Sequence, residues 1–246
     1  MDSESTRLGA RDLVDIWESL PRQGWLSGAM SALAAIARED VSALDQLSLG
    51  ERNALLLRLR RAQRGDALDL VASCPVCTTT VEFTVSCSEL LTAAAPPSRS
   101  WAVNAGGYRL HMRPIKVADE RAAHAAAGAE EARAILASGA IARVTRGSRS
   151  IEPALLPNDA LTAAGQAVLE HDRLAEIVLG VTCPECSGTW SAPLDLVRLV
   201  SEELSRLGAE LIGAVDLLAR TYGWTEETIL GLPETRRGTY MALAGS

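Results

Sequence analysis

The sequence predicts a mainly α-helical chain with small β elements, an α+β class, and three observations predict it. Several segments carry apolar residues at helical spacing. Two extended runs flank Asn104-Ala105-Gly106-Gly107, a turn signal. Four of the five cysteines fall in two Cys-Pro-x-Cys pairs, SCPVC at 73–77 and TCPEC at 182–186, each followed by a short β-prone run.

The elements follow in order. Residues 1–10 are polar. ARDLVDIWESL (10–20) puts Leu13, Ile16, Trp17 and Leu20 on one helical face, and WLSGAMSALAAIA (25–37) forms a second helix, mostly small and apolar. ERNALLLRLRRAQRGDALDLVAS (51–73) reads as helical, with Leu55, Leu56, Leu59, Leu68 and Leu70 as its apolar positions and an end or break at Gly65. TTTVEFTV (78–85) is a strand, and TAAAPPSRS (92–100) a linker. WAVNAGGYRLHMRPI (101–115) is a hairpin whose second strand Pro114 closes. VADERAAHAAAGAEEARAILA (117–137) is a helix with Asp119 as N-cap, and 138–155 is irregular. PNDALTAAGQAVLEHDRLAEIVLGV (157–181) is helical from Asn158 or Asp159. A long helix fills 193–223, with a break at Gly208. In the tail, 224–244, Thr225 caps one short helix and Pro233 starts the next.

Each cysteine pair thus lies between a helical stretch that begins with Asp (DALDLVAS from Asp66, DRLAEIVLGVT from Asp172) and a strand. Without gaps, Thr80 aligns with Thr189, Val81 with Trp190, Val85 with Leu194 and Leu90 with Leu199. The expected architecture is a pair of pseudo-duplicated helix–knuckle–strand halves stapled by a metal. Three parts follow: 1–91 with the first knuckle, 92–200 with the hairpin, helices and second knuckle, and 201–246 as a helical interaction tail.

Two thiolates two residues apart can both face one ion, so two such pairs close a tetrahedral shell. Cys74, Cys77, Cys183 and Cys186 are accordingly the candidate ligands of a structural zinc, with iron at the same sulfurs as the variant. In compact zinc ribbons the pairs stand about 15–20 residues apart; here the ion joins distant parts of the chain and reads as a staple. Two other readings compete. A redox-active Cys-x-x-Cys belongs at a strand-to-helix turn in a βαβ pattern, which this sequence lacks. Disulfides need an oxidising compartment, and residues 1–25 carry Asp2 and Glu4 where a secretion signal has a basic start. Cys87, in FTVSCSELL, reads as a small buried residue. His111, His124 and His171 have no acidic or cysteine partner nearby in sequence and read as surface or satisfied histidines.

No stretch approaches the roughly 18 apolar residues of a membrane span. The net charge of −7 disfavours broad nucleic-acid binding. Arg58, Arg60, Arg61 and Arg64 offer either a nucleic-acid or acidic-partner site or a solvated helix face. The tail resembles a helix-turn-helix superficially, but TEETILGL holds acids and no base-reading Asn, Gln or Arg. It reads instead as a helical cap, or as an interaction hook with Tyr222, Trp224, Ile229, Leu232 and Tyr240 as anchor and Arg236 and Arg237 on the rim. With no GxSxG, phosphate loop, HExxH or close acid pair, the sequence predicts no enzyme.

IWE (16–18), LSLGERNALLLRLRRAQRGDALDLVASCPVC (47–77) and LLARTYGWTEETILGLPETRRGTY (217–240) together resemble the baseplate proteins of contractile phage tails, T4-like, and of phage-tail-like extracellular injection systems. The resemblance implies a non-enzymatic structural or assembly protein, assembled in the cytoplasm into a particle baseplate, that contacts hub, spike and wedge proteins. It supplies no set of functional residues. A zinc-stapled nucleic-acid-binding regulator is the alternative.

Overall fold

The computed structural model describes residues 7–93 and 97–245. Its helices and strands in chain order are α1 (Ala10–Ala37), α2 (Val41–Leu44), α3 (Leu49–Arg64), β1 (Ala67–Ser73), β2 (Thr80–Ser86), α4 (Cys87–Ala93), β3 (Trp101–Ala105) and β4 (Tyr108–Met112). There follow α5 (Val117–His124), α6 (Ala129–Ala140), β5 (Ile141–Arg146), β6 (Arg149–Ile151), α7 (Asn158–His171), β7 (Ile177–Thr182), β8 (Thr189–Leu194), α8 (Leu196–Tyr222), α9 (Glu226–Leu230) and α10 (Glu234–Ala244). This is the expected α+β class. Two compact units result, one from Met1–Val41 with Val197–Ser246, the other from Ser42–Leu196.

The first unit is helical. Gly24, at φ 75 and ψ 172, interrupts α1 and separates the two helical runs that the sequence predicts. Leu13, Ile16 and Leu20 are buried on the expected face. In α8 the residues Val200, Leu204, Leu211, Ala214 and Leu218 form a buried stripe, and Gly208 falls within it. The predicted break at Gly208 does not exist. A Cβ there would lie 2.4 Å from the Trp17 Cβ and 2.8 Å from the Leu13 carbonyl oxygen, so the glycine admits the close crossing of α1 and leaves the helix continuous. At the tail, Thr225 caps α9 by accepting the Thr228 N–H at 3.3 Å, as predicted, and α10 starts after Pro233.

The second unit is mixed. Ser48 and Glu51 cap α3 reciprocally: the Ser48 hydroxyl accepts from the Glu51 N–H at 3.1 Å, and the Ser48 N–H donates to Glu51 Oε2 at 2.8 Å. Leu56, Leu57 and Leu59 are fully buried beneath it. Strands β3, β4, β5 and β6 pair in that order as an antiparallel sheet. Leu110, Met112, Ile141 and Val144 from the sheet pack with Leu156, Ala160, Ala164 and Val168 of α7 and its approach. The hairpin turn has Gly106 and Gly107 at φ 58 and 80, the positive angles that glycine supplies.

Four expectations are corrected here. DALDLVAS and the end of DRLAEIVLGVT are strands β1 and β7, so each half is a hairpin and not a helix followed by a strand. Gly65 at φ 88 ends α3; beyond it Leu68, Leu70 and Ala72 alternate inward with Asp69, Val71 and Ser73 outward, the period of a strand. In β7 the β-branched Ile177, Val178, Val181 and Thr182 favour the same choice. The helix expected over 117–137 is two, α5 and α6, parted before Gly128; its Asp119 is not the cap residue but reaches back to the Lys116 N–H at 2.8 Å. The segment 138–155 is not irregular: it holds the β5–β6 hairpin, turning at Gly147 with φ 60. The predicted linker 92–100 lies partly outside the described residues.

Candidate metal centre

Each cysteine pair sits at the tip of a two-stranded antiparallel hairpin. In the first, β1 and β2 pair up to Ser73↔Thr80; in the second, β7 and β8 pair up to Thr182↔Thr189. The backbone then folds the same way in both. Cys74 exchanges hydrogen bonds with the next turn, its N–H donating to the Thr79 carbonyl and its carbonyl accepting from the Thr78 N–H, both at 2.9 Å. Cys183 does the same with the Gly188 carbonyl at 2.9 Å and the Ser187 N–H at 3.0 Å. Thr78 and Ser187 hold matching positive φ angles, 61 and 58. The pairing of Leu68 with Val85 likewise matches that of Ile177 with Leu194.

The hairpins bring all four predicted ligands together. Their sulfurs lie within 4.8 Å of one another. Cys74 Sγ is 3.7 Å from Cys186 Sγ, and Cys77 Sγ is 3.6 Å from Cys183 Sγ. A tetrahedron with metal–sulfur bonds of about 2.3 Å has edges of about 3.8 Å, so the spacing fits a four-thiolate zinc. Cys74 and Cys183 are buried and pack with Val81 and Val181, while Phe83, Trp190 and Ala192 wall the cluster. Cys77 is half-buried and Cys186 exposed.

Thr79 and Gly188 stand two residues after the second cysteine of each pair and aim hydrogen bonds at its sulfur. The Cys77 thiol donates to the Thr79 hydroxyl at 3.3 Å, and hydrogen bonding to the Thr79 side chain and N–H favours the thiolate and holds that thiol down at about 6. At Cys186 the Gly188 N–H also favours the thiolate, but the neighbouring Cys77, Cys74 and Cys183 sulfurs and desolvation oppose it and push the thiol up to about 12. A divalent cation held among the four sulfurs would supply the charge that drives their protons off. Four thiolates fill a tetrahedral shell, which leaves no position for water or substrate. The knuckles lie at hairpin tips and not at a strand-to-helix turn, the setting of a redox Cys-x-x-Cys.

The remaining candidates lie elsewhere. His171 stacks on Trp101 with ring centroids 4.4 Å apart, and no histidine joins the four sulfurs. Cys87 is fully buried. Of the arginines of α3, Arg60 is buried with Nη1 on the Gly65 carbonyl at 2.6 Å, while Arg58, Arg61 and Arg64 are exposed, Arg61 bonding the Ser88 hydroxyl at 3.1 Å on the surface. In the tail, the Tyr222, Trp224 and Tyr240 rings form one cluster, with centroids 4.8 Å apart for Tyr222–Trp224 and Trp224–Tyr240 and 5.7 Å for Tyr222–Tyr240. Arg236 is exposed and Leu232 half-buried. Ile229 is fully buried, and Arg237 lies beneath the surface with Nη1 on the Leu232 carbonyl at 3.2 Å.

One buried polar pair escaped the sequence reading. Asp172 ends α7 and reaches the start of α3, where its Oδ2 accepts the Gly50 N–H at 3.1 Å. Burial raises its carboxyl above the usual range, against the lowering effect of the Gly50 N–H and the Ser48 hydroxyl. Neighbouring Asn53 donates to the Leu174 carbonyl at 2.7 Å. Among the described residues no helix is long and apolar enough to cross a membrane.

A sequence model of the family described as T4 bacteriophage base plate protein matches residues 30–199, a span that includes α3, both knuckles and the sheet between them. No curated relative and no solved structure matches the chain.

Proposed function

The chain belongs to the T4 bacteriophage base plate protein family, and from that premise we propose that it is a non-enzymatic structural or assembly component of a contractile phage tail or phage-tail-like injection system. It contacts hub, spike or wedge proteins, and Cys74, Cys77, Cys183 and Cys186 hold a structural zinc. The observation that carries the reading is the family match across 30–199. The four clustered sulfurs support the metal, and their burial in a small apolar cluster supports a structural use. A baseplate must hold while the sheath contracts, and a zinc site contributes on the order of 10 kcal/mol to folding.

The tail is the proposed contact surface. Tyr222, Trp224, Leu232, Tyr240 and Arg236 present it, and Ile229 and Arg237 support it from beneath. Aromatic and arginine side chains of this kind dominate interface energetics. The nucleic-acid alternative has less behind it, because the net charge is −7 and one of its four arginines, Arg60, is buried within the fold.

The test is deletion of the gene in the producing particle, followed by electron microscopy and mass spectrometry of the purified tails. The expected result is tails without a complete baseplate, with the chain co-purifying with hub, spike or wedge proteins in the wild type. Complete, contractile particles without this chain overturn the proposal.

A further inference from the structure

We propose that the four-cysteine centre is convertible: a hydroperoxide exchanges the bound cation for two disulfides that run between the knuckles, Cys74–Cys186 and Cys77–Cys183. This rests on the reading of the four sulfurs as a metal centre. Two sulfur–sulfur contacts support those bonds. The direct sulfur–sulfur contacts of 3.7 and 3.6 Å both run from one hairpin to the other, and a disulfide of about 2.05 Å needs each pair to close by less than the width of an atom. Cys186 is exposed and gives the oxidant its entry, whereas Cys74 and Cys183 are buried in a small apolar cluster.

The chemistry balances in two steps for each bond. With the cation bound, Cys186 is held as a thiolate despite its raised thiol, and it attacks one peroxide oxygen; the O–O bond breaks, the second oxygen leaves with a proton as water, and Cys186 carries a sulfenic acid. The Cys74 thiolate then attacks that sulfur; the S–S bond forms, the S–O bond breaks, and the oxygen leaves with a proton as a second water. Two electrons pass from the sulfurs to the peroxide. Cys77 and Cys183 repeat the sequence with a second equivalent, and the cation departs without thiolates to hold it.

The consequence follows from connectivity. Both bonds join the β1–β2 hairpin to the β7–β8 hairpin, so the cross-link between them outlasts the ion. Bonds within each Cys-Pro-x-Cys pair cut it. Such an exchange suits a particle built among reducing thiols and then released to surroundings where disulfides persist.

The full chain, purified under reducing conditions and assayed for zinc, is treated with two equivalents of hydrogen peroxide. Zinc release is followed with a chromogenic chelator, the bonds are mapped on non-reduced peptides, and melting is compared with chelator-stripped, reduced protein. The expected results are full zinc release, a mass decrease of about 4 Da from two disulfides, peptides joined as 74–186 and 77–183, and a melting temperature above that of the stripped chain. Zinc at the start but bonds within the pairs, or sulfinic acids without cross-links, overturn the convertible centre and leave the metal reading intact. A reduced, folded chain that holds no metal overturns the metal reading, and this inference with it.

Discussion

Gly50→Ala tests how tightly the buried carboxylate is fitted to the start of α3. A glycine in a helix is ordinarily a weak point, and alanine there gains up to about 1 kcal/mol. Here the Cβ would sit 1.6 Å from Asp172 Oδ1 and 2.6 Å from its Cγ, so the carboxylate must move. Asp172 is 2% exposed and cannot swing into water. Displacement breaks its hydrogen bond from the Gly50 N–H, and taking a partner from such a buried polar group costs about 1–3 kcal/mol. The steric strain adds to this, so the loss exceeds the helical gain and the net effect is a destabilisation of about 2–3 kcal/mol. For a chain of this size that lowers the melting temperature by roughly 5–10 °C. Differential scanning calorimetry measures it, with Asp172→Ala and the double variant completing a cycle. The double variant is expected to recover stability relative to the sum of the single changes. A Gly50→Ala chain that melts at or above the wild-type temperature refutes the reasoning.

Four further outcomes are expected. Asp172→Asn flattens one pH dependence: burial raises the wild-type carboxyl, so its contribution is complete below the unfolded pKa and fades as pH rises through the folded pKa. The stability of Asp172→Asn relative to wild type should therefore climb as pH rises above the ordinary carboxylate range in urea titrations, and a constant difference contradicts this. Cys183→Ser should abolish the roughly one zinc per chain expected of a four-thiolate site, read by elemental mass spectrometry, and lower the melting temperature; retained metal and stability sink the site. Gly208→Ala should cost about 1–3 kcal/mol through overpacking, because the new Cβ meets Trp17 and the Leu13 carbonyl, and unchanged chemical denaturation would show that α1 and α8 do not cross there. Trp224→Ala should weaken co-sedimentation with purified baseplates by more than about tenfold while metal content stays constant; equal binding removes the tail from the interface.

The sequence displayed its chemistry more openly than its secondary structure. Cysteine spacing named the four clustered residues because two ligands two apart are a local signature, legible whatever the distance to the second pair. Local signals also placed the Gly106-Gly107 turn and the Thr225 cap. The errors arose where apolar spacing fits two periods. Leu68 and Leu70 sit one strand period apart, yet they were counted with the leucines of α3, and the start of α3 itself was written in Ser48-Leu49-Gly50-Glu51, a capping box that went unread. Alanine-rich 117–137 hid a break because small residues carry little amphipathic contrast. Gly208 looked like a breaker since its role depends on a helix from the other end of the chain. The Asp172–Gly50 pair, 122 residues apart, leaves no sequence trace at all.

The wide separation of the two knuckles makes the proposed cation a gauge of its surroundings. A two-cysteine half-site alone binds weakly, and the second half arrives only when the chain between them has its native path. Closing so long a loop is entropically modest, since each doubling of length adds only about 0.6 kcal/mol; the greater condition is that β3–β6 and α7 be folded. By linkage, apparent affinity equals intrinsic affinity scaled by the fraction of chains in that state. Lesions in the core around Leu110 and Val144 therefore loosen the ion without touching a ligand. Occupancy of the proposed site would then be a quality signal: copies that keep the cation at limiting supply would be those whose intervening sheet is already built.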